Sequence, residues 1–350
     1  MLSKNNSNKT LESALLKDNK EHLRNTPKSH ALKFIKTNLG DAKHDSSLFT
    51  LIGHNDIQYL IKNNIDLNKQ NHNGRTVLMM ACEIGEIKMV NKLIQAGADI
   101  NIKNSDGDTA LIIAARKNNI NCLKRLLEEK NIDINVKDNN GNTLLHNACL
   151  EKVRVSTIRQ LIKQTNDINA LNHKGQTALM LLNDEVQIPS MLALIKAGAD
   201  VNIQNKAGET SLMVMCGDNK SVKCVKLLIK HGAHVNIQDK CGDTALIKAS
   251  LDNSVYMRSD YEVRHNIKPM TKKCVKCMKT LLNAGADPNI QNNNGNTALI
   301  RASCYTSGQP EIIKCLIKAN TNLNIQNKYG NTALMVAAKN GYIGYVKLLL

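Results

Sequence analysis

The pattern Gly-x-Thr-x-Leu occurs eight times in this chain, always in one register. Successive copies are 33 to 35 residues apart, except for one interval of 53. A period of this length is typical of proteins in which each short repeat buries its apolar face only against its neighbours. The pattern therefore predicts a stack of equivalent repeats. The glycines are Gly74, Gly107, Gly141, Gly175, Gly208, Gly242, Gly295 and Gly330.

The residues around each glycine predict the same local structure in every repeat. The glycine permits the positive φ that a tight turn needs. The Thr two positions later suits a helix N-cap, because its hydroxyl accepts from an otherwise unpaired backbone N–H. An Asn or Asp three positions earlier can bond the backbone two residues on and hold the turn. Small pairs such as Ala114 and Ala115 let neighbouring helices approach closely. We expect each repeat to be turn, helix, turn, helix, and we call the glycine turn the fingertip.

The composition favours a thin, aliphatic fold. The chain has 350 residues, yet it contains no Trp, two Phe and seven Tyr. Large globular cores rely on bulky rings to fill wide interiors, so one large core is excluded. Hydrophobic residues make up 42% of the chain, which also excludes general disorder.

From these motifs the chain resembles the ankyrin-repeat family over about residues 45–350. Gly-Ala-Asp, another family signature, stands at 97–99, 198–200 and 285–287. The resemblance implies an all-α ankyrin-repeat solenoid of stacked helix-turn-helix units with β-turn fingertips. The family's Thr-Pro-Leu-His becomes Thr-Ala-Leu-Met or Thr-Ala-Leu-Ile in most repeats, and only Leu145-His146 keeps the His. The Asn, Lys and Ile usage is similar to that of ankyrin-repeat proteins from giant DNA viruses or intracellular parasites.

The period divides the chain into one N-terminal segment and nine repeats. Residues 175–207 lack the small pair, and Pro189 stands where the second helix should begin. The last repeat stops before any Gly-Ala-Asp, so we expect either a truncated piece or a frayed end. The predicted ranges are 1–45, polar and partly helical; 46–73, a degenerate capping repeat; 74–106; 107–140; 141–174; 175–207, degenerate; 208–241; 242–294, with an insertion at 251–273; 295–329; and 330–350, incomplete.

Charge and cysteine content bear on the location and the partners. Lys and Arg number 47 against 30 Asp and Glu, for a net charge of +17. A positive charge of this size is compatible with binding to nucleic acid, with binding to an anionic membrane surface, or with a contribution to solubility alone. The polar N-terminus lacks the apolar core of a signal peptide, and no apolar run approaches membrane-spanning length. We therefore expect an intracellular protein, cytoplasmic or in the host cytoplasm, with free thiols and no membrane insertion.

The sequence predicts no catalytic, cofactor or metal site. Cys274 and Cys277 form a CxxC, but zinc needs four ligands and no second pair stands at suitable spacing. Cys277 shares its register position, expected to be half-buried, with Cys122 and Cys224. No HExxH, GxSxG or phosphate-binding glycine loop is present. We therefore expect that the protein is not an enzyme.

The Lys-rich stretches fall mostly on second helices, where charges normally face solvent. Binding of nucleic acid would need charge focused in a groove with stacking aromatics, so we do not expect it.

What the resemblance implies is a non-catalytic adaptor or scaffold, monomeric, that binds an unidentified protein. Two alternatives remain open: a basic nucleic-acid-associated or membrane-surface protein, and a substrate adaptor of a ubiquitin ligase. Exposed positions that differ between repeats would carry the specificity. On the fingertips these candidates are Arg75, Lys174, Lys206, Lys240 and Tyr329, with His72 and His173.

The insertion in the 242–294 repeat supplies a second set of candidate contacts. Tyr and Arg are the types enriched at interface hot spots, and neighbouring turns of a stack lie side by side. A solvated loop is the alternative interpretation, because insertion at a turn costs little. The candidates are Tyr256, Arg258, Tyr261, Arg264 and, one repeat later, Tyr305.

Overall fold

The computed structural model describes residues 66–219, 221–250, 272–304 and 310–350. Within these ranges the ordered elements are helices, with fifteen α-helices and no strand. The predictions for residues 1–45, for most of the capping repeat and for the insertion up to residue 271 lie outside the described residues. The chain forms two compact bodies, a first body of Met1–Thr165 and a second body of Asn166–Leu350.

The described part of the first body contains three pairs of helices. The first helix of each pair packs on the second helix of the same pair, and the first helices of consecutive pairs pack on one another. The α-helices are α1 (Val77–Ile84), α2 (Ile87–Gln95), α3 (Ala110–Arg116), α4 (Ile120–Leu127), α5 (Leu144–Leu150) and α6 (Val155–Ile162).

The second body continues the pattern, with α-helical first helices of four to seven residues. Its first element is a 3-10 turn, Leu179–Leu181, followed by a second one, Glu185–Gln187. A π-helical turn, Met215–Asn219, follows α8. The α-helices are α7 (Ile188–Lys196), α8 (Ser211–Val214), α9 (Val222–Lys230), α10 (Ala245–Ala249), α11 (Lys272–Asn283), α12 (Ala298–Ser303), α13 (Pro310–Lys318), α14 (Ala333–Lys339) and α15 (Ile343–Leu349).

The threonine caps predicted from the sequence are confirmed. In all seven α-helical first helices that the structure describes, the Thr hydroxyl accepts from the backbone N–H three residues later, as Thr109 does from Ile112 at 3.4 Å. A cap of this kind stabilises a helix by about 1 kcal/mol. The threonines are Thr76, Thr109, Thr143, Thr210, Thr244, Thr297 and Thr332.

First and second helices are buried differently because only the first helices have neighbours on most sides. In α3 every residue from Ala110 to Ala115 is buried, and the small pair Ala114 and Ala115 is 0% exposed. In α4 only Cys122, Leu123 and Leu126 are buried, so its other face meets solvent.

The second-helix cysteines correct one expectation. Cys122, Cys224 and Cys277 were expected to be half-buried, and each is 0% exposed. The prediction was wrong because the second helices also pack against one another, α2 on α4 and α9 on α11, which closes the space around these thiols.

The degenerate repeat at 175–207 has the least regular first helix. Leu182 replaces the small residue of other repeats and is 1% exposed, with extended backbone that ends the 3-10 turn. Pro189 lies in the first turn of α7, as predicted, where its missing N–H costs no intrahelical bond.

Candidate protein-contact surface

Each fingertip is an Asx turn closed by a glycine. At Asn205 the side-chain oxygen accepts from the N–H groups of Ala207 and Glu209, both at 2.9 Å. Gly208 donates to the Asn205 carbonyl at 2.8 Å and has a φ of +82°. The predicted turn geometry is confirmed in this repeat. The hydrogen bonds that form the turn involve only backbone atoms and the Asn205 side chain, so the side chains at the two tip positions, 206 and 207, can vary without changing the turn.

Consecutive fingertips are joined by backbone hydrogen bonds. In the second body Lys206 N–H donates to the Lys174 carbonyl, and Lys240 N–H donates to the Ala207 carbonyl, both at 3.0 Å. A Cβ on Gly208 would lie 2.7 Å from the Lys240 nitrogen, so the close approach requires glycine. The tip residues of neighbouring repeats are thus held at fixed spacing.

Asn and Gln side chains add further links between repeats. Gln204 Nε2 donates to the Gly208 carbonyl of the adjoining fingertip at 2.6 Å and to the Gln238 carbonyl, beside the Gly242 fingertip, at 3.0 Å. Asn202 Oδ1 accepts from the His234 N–H at 2.8 Å. Much of the Asn and Gln content is therefore structural, which leaves the charged and aromatic tips as the surface that can discriminate partners.

Three of the predicted lysines are brought together on these joined turns. Lys174, Lys206 and Lys240 are exposed, and none forms an ion pair with a residue the structure describes. The same row continues with Asn293 and Lys328, because Asn293 N–H donates to the Cys241 carbonyl and Lys328 N–H to the Asn294 carbonyl.

Lys328 was missed by the sequence reasoning although a signal existed. It stands two positions before Gly330, the register position that Lys206 and Lys240 occupy before their glycines. Tyr329, the next residue, is a predicted candidate and is 78% exposed. Its backbone N–H donates to Asn327 Oδ1 at 3.0 Å, so the turn is fixed while the ring projects into solvent.

Arg75, the candidate in the first body, already has an intramolecular partner. Its Nη1 lies 2.8 Å from Glu83 Oε2, and Lys117 Nζ lies 3.2 Å from the other Glu83 oxygen. The side chain is 36% exposed. A partner would compete with Glu83 for this guanidinium.

Two partly buried ionic clusters lie behind the fingertips, and the sequence reasoning missed both. In the first body Arg116 binds Asp108 and Asp138. In the second body Lys248 binds Glu209 and Asp239 at 2.7 and 2.9 Å.

The pKa shifts follow from burial and hydrogen bonding. Burial raises the pKa of Asp108 to about 6 despite the Arg116 guanidinium, and Asp108 Oδ1 is buried without a hydrogen-bond partner. Burial alone would raise the pKa of Glu209, but the hydrogen bond from Lys248 holds that pKa below its ordinary value. These residues bind one another and stabilise the fingertips from behind.

The remaining predicted candidates, Tyr256, Arg258, Tyr261, Arg264 and Tyr305, lie outside the described residues.

In the described ranges, no three or more His, Cys, Asp or Glu side chains are grouped so as to hold a metal ion. Cys274 and Cys277 of the CxxC are buried in α11. None of the helices that the structure describes has the length and apolar character needed to cross a bilayer.

Paired helices that present exposed, structurally joined turns define a helical repeat protein of the binding-module class. Family models agree: the description "Ankyrin repeats (3 copies)" matches residues 46–138 and 270–350. "Ankyrin repeats (many copies)" matches 115–162 and 194–249, and "Ankyrin repeat" matches 241–293. The chain belongs to the ankyrin-repeat family, so the predicted family and fold class are confirmed.

A solved structure gives the same result. The ankyrin repeat domain of Bcl-3, described as a unique member of the IκB protein family, is 26% identical to this chain with a TM-score of 0.55. The match covers 70% of this chain and 100% of that one. No curated protein sequence matches the chain.

Proposed function

We propose that this chain is a non-catalytic adaptor or scaffold that binds a protein partner through the fingertips of its second body. The observation that carries the proposal is the row of Lys174, Lys206 and Lys240, which are exposed on neighbouring turns that backbone hydrogen bonds hold together. A preorganised row of this kind binds without paying for loop ordering. Tyr329 supplies an aromatic contact one turn beyond Asn293.

The insertion residues form the second part of the proposed contact surface. Tyr256, Arg258, Tyr261, Arg264 and Tyr305 are of the types that dominate interface energetics. We propose that they and the fingertips contact the same partner, and that the protein acts as a monomer.

The proposed location is inside a cell, in the cytoplasm or in the cytoplasm of a host. All ten cysteines lie among the described residues, and none forms a disulfide. Ten thiols without a disulfide are consistent with a reducing compartment.

The test is affinity capture from native cells with the triple variant Lys174→Glu, Lys206→Glu, Lys240→Glu. The matched control reverses three exposed lysines of the first body, Lys88, Lys124 and Lys130, and so makes the same change in net charge. We expect the fingertip variant to lose one specific partner that the control retains. Equal capture by both variants would contradict the proposal.

A basic nucleic-acid or membrane-surface protein is the alternative, and the net charge of +17 favours it. Binding to nucleic acid of any sequence, with a steep loss as salt rises, would support that alternative over the adaptor.

A further inference from the structure

A solvent-open cleft of about 740 Å³ lies between α9 and α11 in the second body. Five lysines line it: Lys223 and Lys226 from α9, and Lys273, Lys276 and Lys279 from α11. From the sequence alone, these lysines are expected to lie on ordinary solvent-facing surfaces of two helices. The packing of the two helices instead turns them toward one shared groove.

The orientation of both helices is fixed by their buried sides. Cys224, Val225 and Leu228 are 0% exposed in α9, and Cys277, Met278 and Leu281 are 0% exposed in α11. Residues three or four apart lie on one helix face, so each helix presents its lysines as a stripe beside the buried one. Neither helix can rotate its stripe away without losing this core.

The positive charge in the cleft is only partly neutralised. Among the described residues that line the cleft, Glu185 is the one acidic residue, and its carboxylate lies 3.1 Å from Lys223 Nζ. Lys226, Lys273, Lys276 and Lys279 form no ion pair with any residue in the described ranges. An anion in the cleft would relieve the mutual repulsion of these ammonium groups.

The basic surface continues onto the next helix. A second cleft of about 410 Å³ lies between α11 and α13, and Lys279 and Lys318 line it. Lys279 borders both clefts, so the two form one basic surface across α9, α11 and α13. Glu311 on α13 lies 3.9 Å from Lys314, and Lys318 forms no ion pair with a residue that the structure describes.

We propose that this basic groove binds an acidic segment of a polypeptide, rich in Glu or Asp. The lining of α11 runs from Lys273 to Asn283, a rise of about 15 Å, which equals about four to five residues of an extended chain. Packed helix axes are about 8–10 Å apart, which suits a single extended strand. Thr280 Oγ1 donates to the Lys276 carbonyl at 2.8 Å and can still accept from a peptide N–H, and Asn283 adds an amide that can bond the peptide backbone.

The chemistry of the lining favours a peptide over the other polyanions. Among the described residues that line the two clefts, none is an aromatic residue on which a nucleic-acid base could stack. A bilayer is flat and would reach only the rim of a groove. Carboxylate side chains, in contrast, alternate along an extended peptide and can enter the groove to meet the separate lysine charges.

This inference deepens the proposed function and rests on it only in assigning a protein partner. The groove belongs to second helices, whereas the proposed adaptor contact uses the fingertips. A defined peptide therefore tests the groove independently of the native partner.

The experiment measures fluorescence anisotropy of a labelled peptide of alternating Glu and Ser, about twelve residues long, on the full chain at ~50 and ~150 mM NaCl. The control peptide carries Gln for Glu. We expect Lys226→Glu with Lys276→Glu to weaken binding at least about tenfold. Lys88→Glu with Lys124→Glu, on second helices α2 and α4, makes the same charge change and should weaken it less than about twofold. Circular dichroism would show that each variant is folded, and Lys226→Gln with Lys276→Gln serves as the milder pair.

Carbodiimide coupling followed by peptide mapping locates the contact, because it joins a carboxylate to a lysine amine in contact with it. We expect coupling at Lys226, Lys276 and Lys279 and none at Lys88. Equal weakening by both variant pairs, or equal binding of the Gln peptide, would overturn the proposal. So would binding of a single-stranded oligonucleotide or phosphatidylserine vesicles through these lysines without binding of the acidic peptide.

Discussion

Lys248 Nζ lies 2.9 Å from Asp239 Oδ2 across the turn between two repeats, and the Asp239 side chain is only 4% exposed. The same ammonium lies 2.7 Å from Glu209 Oε1. One lysine therefore joins Asp239, of the Gly242 fingertip, to Glu209, the residue after Gly208 in the preceding fingertip. Burial alone would lower the pKa of Lys248, but the hydrogen bonds and charges of the two carboxylates together raise it above its ordinary value.

We expect Lys248→Met to destabilise the protein by about 2–3 kcal/mol, because two poorly solvated carboxylates lose a charged partner. Urea unfolding followed by circular dichroism measures the change. Lys230→Met, an exposed lysine at the end of α9, is the control and should shift the urea midpoint little. A Lys248→Met midpoint equal to that of the control would show that the cluster contributes nothing to stability.

Asp108 and Glu209 should affect the pH dependence of stability in opposite directions. The folded-state pKa of Asp108 is raised to about 6 from an ordinary value of 3.8, so the folded state binds more protons than the unfolded state between these pH values. This group therefore makes stability fall as pH rises from about 4 to 6. Asp108→Asn should remove that fall, and a wild-type slope that persists in the variant would contradict it.

Glu209 has the opposite sign because its folded-state pKa is lowered. Its stabilising contribution is present above the ordinary pKa of a glutamate and is lost as pH falls through the folded value. The difference in stability between wild type and Glu209→Gln should therefore shrink below about pH 4. Melting temperatures across pH 3 to 7 measure both effects, and a constant difference would contradict this prediction.

Local features of the fold were predictable from sequence, and contacts between repeats were not. Thr109 and Gly107 were assigned correctly because a cap and a turn depend on residues within a few positions of each other. The bonds from Arg116 to Asp108 and Asp138 join residues 8 and 22 positions away, so they required the stacked structure to be seen. The same holds for the groove lysines of α9 and α11, whose helical spacing alone does not tell which face a neighbour leaves open.

Gly107→Val should destabilise the protein by more than the same change at Gly97. Both glycines have positive φ, +80° and +84°, which costs a β-branched residue about 1–3 kcal/mol. At Gly107 a Cβ would also lie 2.7 Å from the Asn139 nitrogen of the next fingertip, while at Gly97 nothing lies within 4 Å. Comparing the urea midpoints of Gly107→Val and Gly97→Val separates the cost of the positive φ from the cost of the close contact with Asn139. Equal midpoints would mean that the fingertips do not approach as closely as described.

Thr109→Ala should cost about 1 kcal/mol through loss of the cap on α3. The hydroxyl accepts from Ile112 N–H in a site where Thr109 is 2% exposed, so water cannot replace it easily. Thr109→Ser keeps the hydroxyl and should retain most of the stability. An unchanged urea midpoint for Thr109→Ala would contradict the assigned register.

Residues 330–350 should show the least protection from hydrogen exchange among the described repeats. In α14 and α15 Met335 is 49% exposed and Ile343 is 70% exposed, whereas Ile112, at the Met335 position of an earlier repeat, is 0% exposed. Less apolar burial gives a lower free energy of local opening. Native-state exchange followed by mass spectrometry compares α14 with α3, and equal protection would contradict the prediction.

Deleting Asn253 to Lys268 tests the second part of the proposed contact surface. The deletion shortens a connection between two helices, and loop closure depends only weakly on length, so we expect the melting temperature to change little. It also removes Tyr256, Arg258, Tyr261 and Arg264, and we therefore expect capture of the main partner to be abolished. The control replaces the same segment with a Gly/Ser linker of equal length, which preserves the spacing but not the side chains. If both variants and Tyr305→Ala capture the partner as wild type does, the contact belongs to the fingertips alone, because these five side chains would then contribute no binding energy.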